Sequence, residues 1–425
     1  MTPSSLLSIP AELLLAVVET IDDEASLRNF SLTCELARLL AEPILYDAIR
    51  VTTGLQALRL VESLQRQQPV ARTELVKSLD VRPEYYSEQG IEVLTLLIGR
   101  MPQLRTLSIE SPFANYSRWS SSDSELRYRA LFYDAGCGIG LQNLESLTIH
   151  WSGSADRFWF LTEVKSIPTL PALRSLTISC AALVDDLADG LAAFAGTTPL
   201  THLELIECFV TQKALLTILA LPRALRSCHL GILRDHIFLC HDAHYEASPE
   251  QQLAALRQQH HTLQKLVWSD ADLAYDIDVP RVPTASGPGL DKFTELRTLI
   301  LDGPCSLLFS VLLSERAPPD LSRLRIIRHD DGSIFDHDLS ISGHFATRIP
   351  GVPPPAALHQ YLPVLHHLDV ILSPQFPWST GALWDSSDRR DRVKGLGENF
   401  RARGVNLAIF TARLHCNGYQ SLRGM

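Results

Sequence analysis

Leu104-Arg105-Thr106-Leu107-Ser108-Ile109 and Leu144-Glu145-Ser146-Leu147-Thr148-Ile149 follow one rule: apolar, two residues, apolar, one residue, apolar. The rule returns as Leu173-Arg174-Ser175-Leu176-Thr177-Ile178, as Leu200-Thr201-His202-Leu203-Glu204-Leu205 and, more weakly, as Leu225-Arg226-Ser227-Cys228-His229-Leu230. It continues at Leu263, Leu296, Leu321 and Leu365, and Val76-Lys77-Ser78-Leu79-Asp80-Val81 is the first copy. Starts at 76, 104, 144, 173, 200, 225, 263, 296, 321 and 365 give intervals of 28, 40, 29, 27, 25, 38, 33, 25 and 44. Within a hexad, the last two apolar residues fall on one face of a strand and the residues between them on the other. Between hexads, periodic apolar segments at 90–100, 185–194, 212–221 and 249–260 predict helices, closed by Pro102, Pro199 and Pro222 before the next strand. One strand and one helix per 25 to 29 residues predicts an α/β chain with a parallel, curved sheet and helices on its convex side.

Ten copies in one order resemble leucine-rich repeats, with the longer intervals read as repeats carrying inserted loops. The asparagine usual three positions after the last leucine is missing, and only Cys208 offers the accepted substitute. The resemblance therefore implies an irregular solenoid over residues 51–425. Loops are expected near 111–140, 276–290 and 329–357, where Ser, Gly and Pro cluster, and a C-terminal cap near 388–425. An ordinary α/β sheet with helical crossovers is the alternative architecture.

Residues 1–50 follow a different rhythm. Pro10 suits the first turn of a helix, and Leu13, Leu14, Val17, Val18 and Ile21 recur at helical spacing. Asp22 or Asp23 suits the cap of a second helix, and Thr33 that of a third. Ile9-Pro10-Ala11-Glu12-Leu13-Leu14, the Leu27-x-x-Phe30-Ser31-Leu32-Thr33-Cys34 core and the closing Pro43-Ile44-Leu45-Tyr46 resemble the F-box. Ile9 stands where Leu is usual, and Glu35 where a basic residue usually follows the Cys. The resemblance implies a three-helix module at 1–50 that docks on a Skp-type adaptor and, through it, a cullin. Its docking residues would be Ile9, Pro10, Leu13, Leu14, Leu27, Leu32 and Cys34. The repeats would then hold an unknown protein substrate for an SCF-type ubiquitin ligase, as a non-catalytic subunit. A repeat scaffold that binds proteins outside the ubiquitin pathway is the alternative from another class.

The 425 residues, 46% hydrophobic and 20% charged, are those of a folded chain. A net charge of −10 argues against a general nucleic-acid or anionic-membrane binder. No apolar run approaches the ~20 residues that cross a bilayer, and no secretory signal is read at the N-terminus. Eight scattered cysteines without a C-x-x-C pair predict reduced thiols and a cytoplasmic or nuclear setting.

No phosphate-binding Gly-rich loop, G-x-S-x-G elbow or H-E-x-x-H helix occurs, and no cofactor is expected. His236, Cys240 and His244 would share a helical face, yet lack the close pairing of zinc ligands and read as part of a polar loop; no metal is expected. Asp336-His337-Asp338 has no nucleophile in a matching context. The outward positions of the hexads carry more information. The early ones are hydroxylic, as at Thr106, Ser146 and Ser175, whereas the later ones bring Lys265, Arg323, Arg325 and His367. That basic stretch is the expected substrate-binding surface, suited to an acidic or phosphorylated segment.

Overall fold

Each hexad contributes a strand, and within each of the chain's two compact units the hexad strands pair in parallel in chain order. The computed structural model describes residues 9–65, 71–82, 90–110, 122–150, 159–232, 247–270, 287–302, 306–329, 355–373 and 387–411. The chain divides into two compact units, Met1–Asp156 with Thr169–Arg174, and Arg157–Pro168 with Ser175–Met425.

The first unit opens with helices α1 (Ala11–Glu19), α2 (Glu24–Ser31) and α3 (Glu35–Leu45). Strand β1 (Ala48–Val51), helix α4 (Gly54–Gln65), β2 (Ser78–Val81), α5 (Thr95–Ile98), β3 (Thr106–Glu110), α6 (Ser122–Gly136) and β4 (Ser146–His150) follow. Strands β1 to β4 lie side by side, with Leu79, Leu107 and Leu147 in one row and Val81, Ile109 and Ile149 in the next. One expected loop is corrected here. Residues 122–136, expected within a loop, form α6. β1, which matches no hexad, pairs with β2 along its whole length. The helical module at 1–50 lies in the same compact unit as the first strands.

The second unit holds β5 (Trp159–Phe160), β6 (Ser175–Ser179), β7 (Ala181–Leu183), α7 (Ala188–Leu191), β8 (His202–Val210) and α8 (Gln212–Ala220). Next come β9 (Ser227–Ile232), α9 (Pro249–Leu256), β10 (Lys265–Asp270), β11 (Thr298–Asp302), α10 (Ser306–Leu312) and β12 (Arg323–His329). It closes with α11 (Pro355–Tyr361), β13 (His367–Ser373), α12 (Ser387–Arg401) and β14 (Asn406–Thr411). The strands run β6-β8-β9-β10-β11-β12-β13-β14, all parallel, and β5, β7 and the end of β8 make a second short ladder. Within the C-terminal cap expected near 388–425, the described residues form α12 and β14. Of the loop expected at 329–357, Pro355 already begins α11, because Pro is at ease in a first helical turn where its missing N–H is not needed. Residues 330–354 lie outside the described residues, as do 276–286.

The hexads hold this together as their pattern requires. Leu107, Ile109, Leu147, Ile149, Leu176, Ile178, Leu203 and Leu205 are all buried, as is the leading leucine of every hexad that has one. Burying each contributes about 1.5–3 kcal/mol. Helix starts are capped from the sequence: Thr211 accepts the Ala214 N–H, and Ser248 with Gln251 forms a capping box on α9. Cys208, at the asparagine position, is buried beside a bulge in β8, where its thiol donates to the Ile178 carbonyl at 3.5 Å. A feature the periodicity does not announce is Gln259. Its amide donates to the Leu219 and Pro222 carbonyls and accepts from the Leu225 N–H, satisfying backbone groups of the preceding repeat.

Candidate functional site

On the N-terminal helices, Leu14 and Val18 of α1 are one turn apart and buried. Val18, Leu27 and Ala41 form a small core, with Ile21, Phe30, Leu40, Ile44 and Leu45 packed against it. Asp23 caps α2 through the Ser26 N–H at 2.7 Å. The third cap falls on Cys34, whose sulfur accepts the Ala37 N–H, while the Thr33 hydroxyl turns back to the Phe30 carbonyl. The seven expected docking residues therefore separate. Leu14 and Leu27 are core, and half-buried Cys34 is a local cap. Ile9, Pro10, Leu13 and Leu32 are exposed, joined by Val17 and Leu39, which the resemblance does not single out. Leu32 is 77% exposed, Leu13 59% and Val17 55%. Leu13 and Val17, four apart, sit side by side on one helical face.

Glu35, the departure from the F-box pattern, has a local use. It pairs with Arg38, which also pairs with Glu42 at 2.9 Å. Glu42 is buried and also receives Arg72 at 2.5 Å. Arg72 donates further to the Ser63 carbonyl and hydroxyl and lies 5.2 Å over the Tyr46 ring, and Tyr46 meets Ser63 at 2.6 Å. A chain of charge thus fastens α3 to α4 and to the turn before β2.

On the sheet, the two outward rows differ. The row of Thr106, Ser146, Ser175, His202, Ser227, Lys265, Thr298, Arg323 and His367 is half-buried or exposed throughout. The next row is partly covered, for Ser108, His229, Val267 and Asp369 are buried. Arg323 and Arg325 both turn to Asp369: each donates Nε and Nη2 to the same Oδ2, at 3.1 and 2.7 Å from Arg323 and 3.3 and 3.1 Å from Arg325. Burial raises the Asp369 pKa, but the two guanidinium groups outweigh it and hold the carboxyl below the usual range. Lys265 and His367 are exposed.

Polar groups also bridge strands β6 to β11. Thr177 donates to Glu204, and His229 Nε2 meets the Ser269 hydroxyl at 2.9 Å, with Asp302 3.4 Å beyond. Burial lowers the His229 pKa against the opposing pull of Glu204 and Asp302. This order places the acid on the serine side. An acid that oriented the imidazole as a base would bond its other nitrogen, so this is not a nucleophile–base–acid arrangement. Cys228 and Cys208 are in the core, with thiol pKa values pushed up by burial, to about 12 for Cys208. His236, Cys240, His244 and Asp336-His337-Asp338 lie outside the described residues. Among the described residues no group of three His, Cys, Asp or Glu is placed to hold a metal ion, and no helix is long and apolar enough to cross a membrane. The chain matches no model of a known protein family, and no curated protein matches it.

Proposed function

We propose that this chain is the substrate receptor of an SCF-type ubiquitin ligase. Helices α1–α3 serve as an F-box for a Skp-type adaptor, and through it a cullin, while the parallel strands serve as an irregular leucine-rich-repeat surface for a protein substrate. The observation that carries the reading is the apolar surplus of the N-terminal helices. Their own core is closed by Val18, Leu27 and Ala41, and Leu14 is buried too, yet Leu13, Val17 and Leu32 remain in water. Exposed leucines occur singly on any surface, but several on one small helical module point to a protein partner. The Ile9-Pro10 to Tyr46 resemblance supplies the partner's kind. On this reading the protein contributes proximity, raising the local concentration of substrate lysines at the ligase.

Leu13→Asp with Leu32→Asp tests it. Each leucine is expected to contribute about 1.5–3 kcal/mol on burial, so the pair should weaken adaptor capture at least about hundredfold. Leu14→Asp is unsuitable, because it strikes a buried position of the module. Co-purification with a Skp-type adaptor that survives the double change at wild-type strength would remove the F-box reading. An unchanged chain that recovers no adaptor would favour a scaffold outside the ubiquitin pathway.

A further inference from the structure

We infer that the open row of the late strands receives an extended, carboxylate-rich segment of a partner protein, with Arg323 at its centre. The inference rests on the reading of the sheet as a partner surface. Lys265, Thr298, Arg323, His367 and Asn406 are register partners on five adjacent strands, β10 to β14. All five are exposed or half-buried. At about 4.8 Å per strand the row is roughly 19 Å long, the span of about six extended residues.

Charge decides the occupant. Among the described outward positions of β10 to β14, Lys265, Arg323 and Arg325 are three cations beside two carboxylates, those of Asp302 and Asp369, and both acids are buried. Asp369 is buried, whereas the Arg323 side chain is 48% exposed. The acid therefore acts from beneath, holding both guanidinium groups in place while the Arg323 side chain stays about half exposed. The nearest acid on β11, Asp302, lies in a different row and is buried beside Ser269. Lys265 stands two strands from Arg323, about 10 Å away. Cations that far apart fit several acids spread along a strand better than the concentrated charge of a single phosphate. A chain of net charge −10 also repels long polyanions, which favours a peptide over a nucleic acid.

The probe is fluorescent hexaglutamate, read by anisotropy on the full chain at low salt, beside a neutral glycine–serine hexapeptide, the same neutral peptide bearing one phosphoserine, and a single-stranded hexanucleotide. Hexaglutamate should bind best and weaken as salt rises. Lys265→Gln and Arg323→Gln should each weaken it about threefold, and the two together about tenfold. Lys213→Gln, an exposed cation on α8, should change nothing, and thermal unfolding of each variant verifies its fold. No hexaglutamate binding at about 1 mM, or equal binding by the double variant, overturns the inference. So does tighter binding of the phosphopeptide or the oligonucleotide. Adaptor capture is a separate measurement: its loss with hexaglutamate binding intact counts against the ligase reading alone.

Discussion

Replacing Glu42 by leucine should loosen the joint between the N-terminal helices and the first strands more than any other single change at their boundary. The Glu42 side chain is 12% exposed and the Arg72 side chain 11%, so the pair is largely out of water. Among the described residues, removing the carboxylate leaves the Arg72 guanidinium the Ser63 oxygens and the Tyr46 ring, while its buried Nε has no hydrogen-bond partner there. Arg38 suffers less, since Glu35 still binds it. Breaking a buried pair by deleting one member costs about 3–5 kcal/mol. At 1.36 kcal/mol per decade this corresponds to roughly two to nearly four orders of magnitude in local opening. The assay is native-state amide exchange by mass spectrometry, comparing peptides from 35–75 with peptides from 200–230. The first set should exchange faster in Glu42→Leu and the second should not. Glu42→Leu with Arg72→Met should recover most of the loss, because an apolar pair of similar size removes both charges together. Unchanged exchange over 35–75 in Glu42→Leu, or a double variant worse than the single, would refute the assignment of this pair as the fastening.

Three further outcomes are expected. Gly140→Ala should lower the thermal midpoint well beyond Gly138→Ala: both glycines have positive φ, at about 1–2 kcal/mol for any L residue, but only at Gly140 would the new Cβ stand 2.7 Å from a carbonyl oxygen, that of Gly99. Equal losses would mean the backbone contact relaxes freely. Leu147→Ala should cost about 2–5 kcal/mol in denaturant unfolding, since its side chain is fully buried and lies in register with Leu107 of the neighbouring strand, and a loss under about 1 kcal/mol would contradict the stacked core. His229 has a folded-state pKa below its ordinary 6.5, so the unfolded chain takes up its proton first and stability falls as pH drops below about 6.5. His229→Gln should flatten that part of the pH–stability curve, and a curve of unchanged slope from about pH 7 to about pH 5.5 would show that His229 does not set it.

The inward half of this fold is legible because its chemistry is undemanding. At Leu176, Leu203, Cys228, Leu266, Leu299, Leu324 and Leu368 the row needs only an apolar residue of suitable size, so each repeat writes its share without reference to its neighbours. Helices are legible for the same local reason, as at Thr211 and Ser248. α6 is the instructive exception. Its serine- and charge-rich start, Ser122-Asp123-Ser124-Glu125, reads as a loop, but the same residues favour the beginning of a helix.

The outward half is written across long separations, and there local reading fails. Arg325 and Asp369 are 44 residues apart, and Glu42 and Arg72 are 30 apart. Alternation shows that Arg323 and Arg325 share a face, but only the register of β12 against β13 shows that both end on one carboxylate. The basic stretch is thereby changed in kind: it is one half-exposed arginine held by a buried acid, with Lys265 and His367 at its flanks, and not a run of free cations. The expected docking residues separate in the same way. A motif names Leu13, Leu14, Leu27 and Leu32 alike, and folding buries Leu14 and Leu27. What remains for a partner is set by subtraction. A functional surface here is the part of the pattern that folding leaves unused, which is why Leu32, the most exposed of these leucines, is the side chain whose substitution should separate docking from stability.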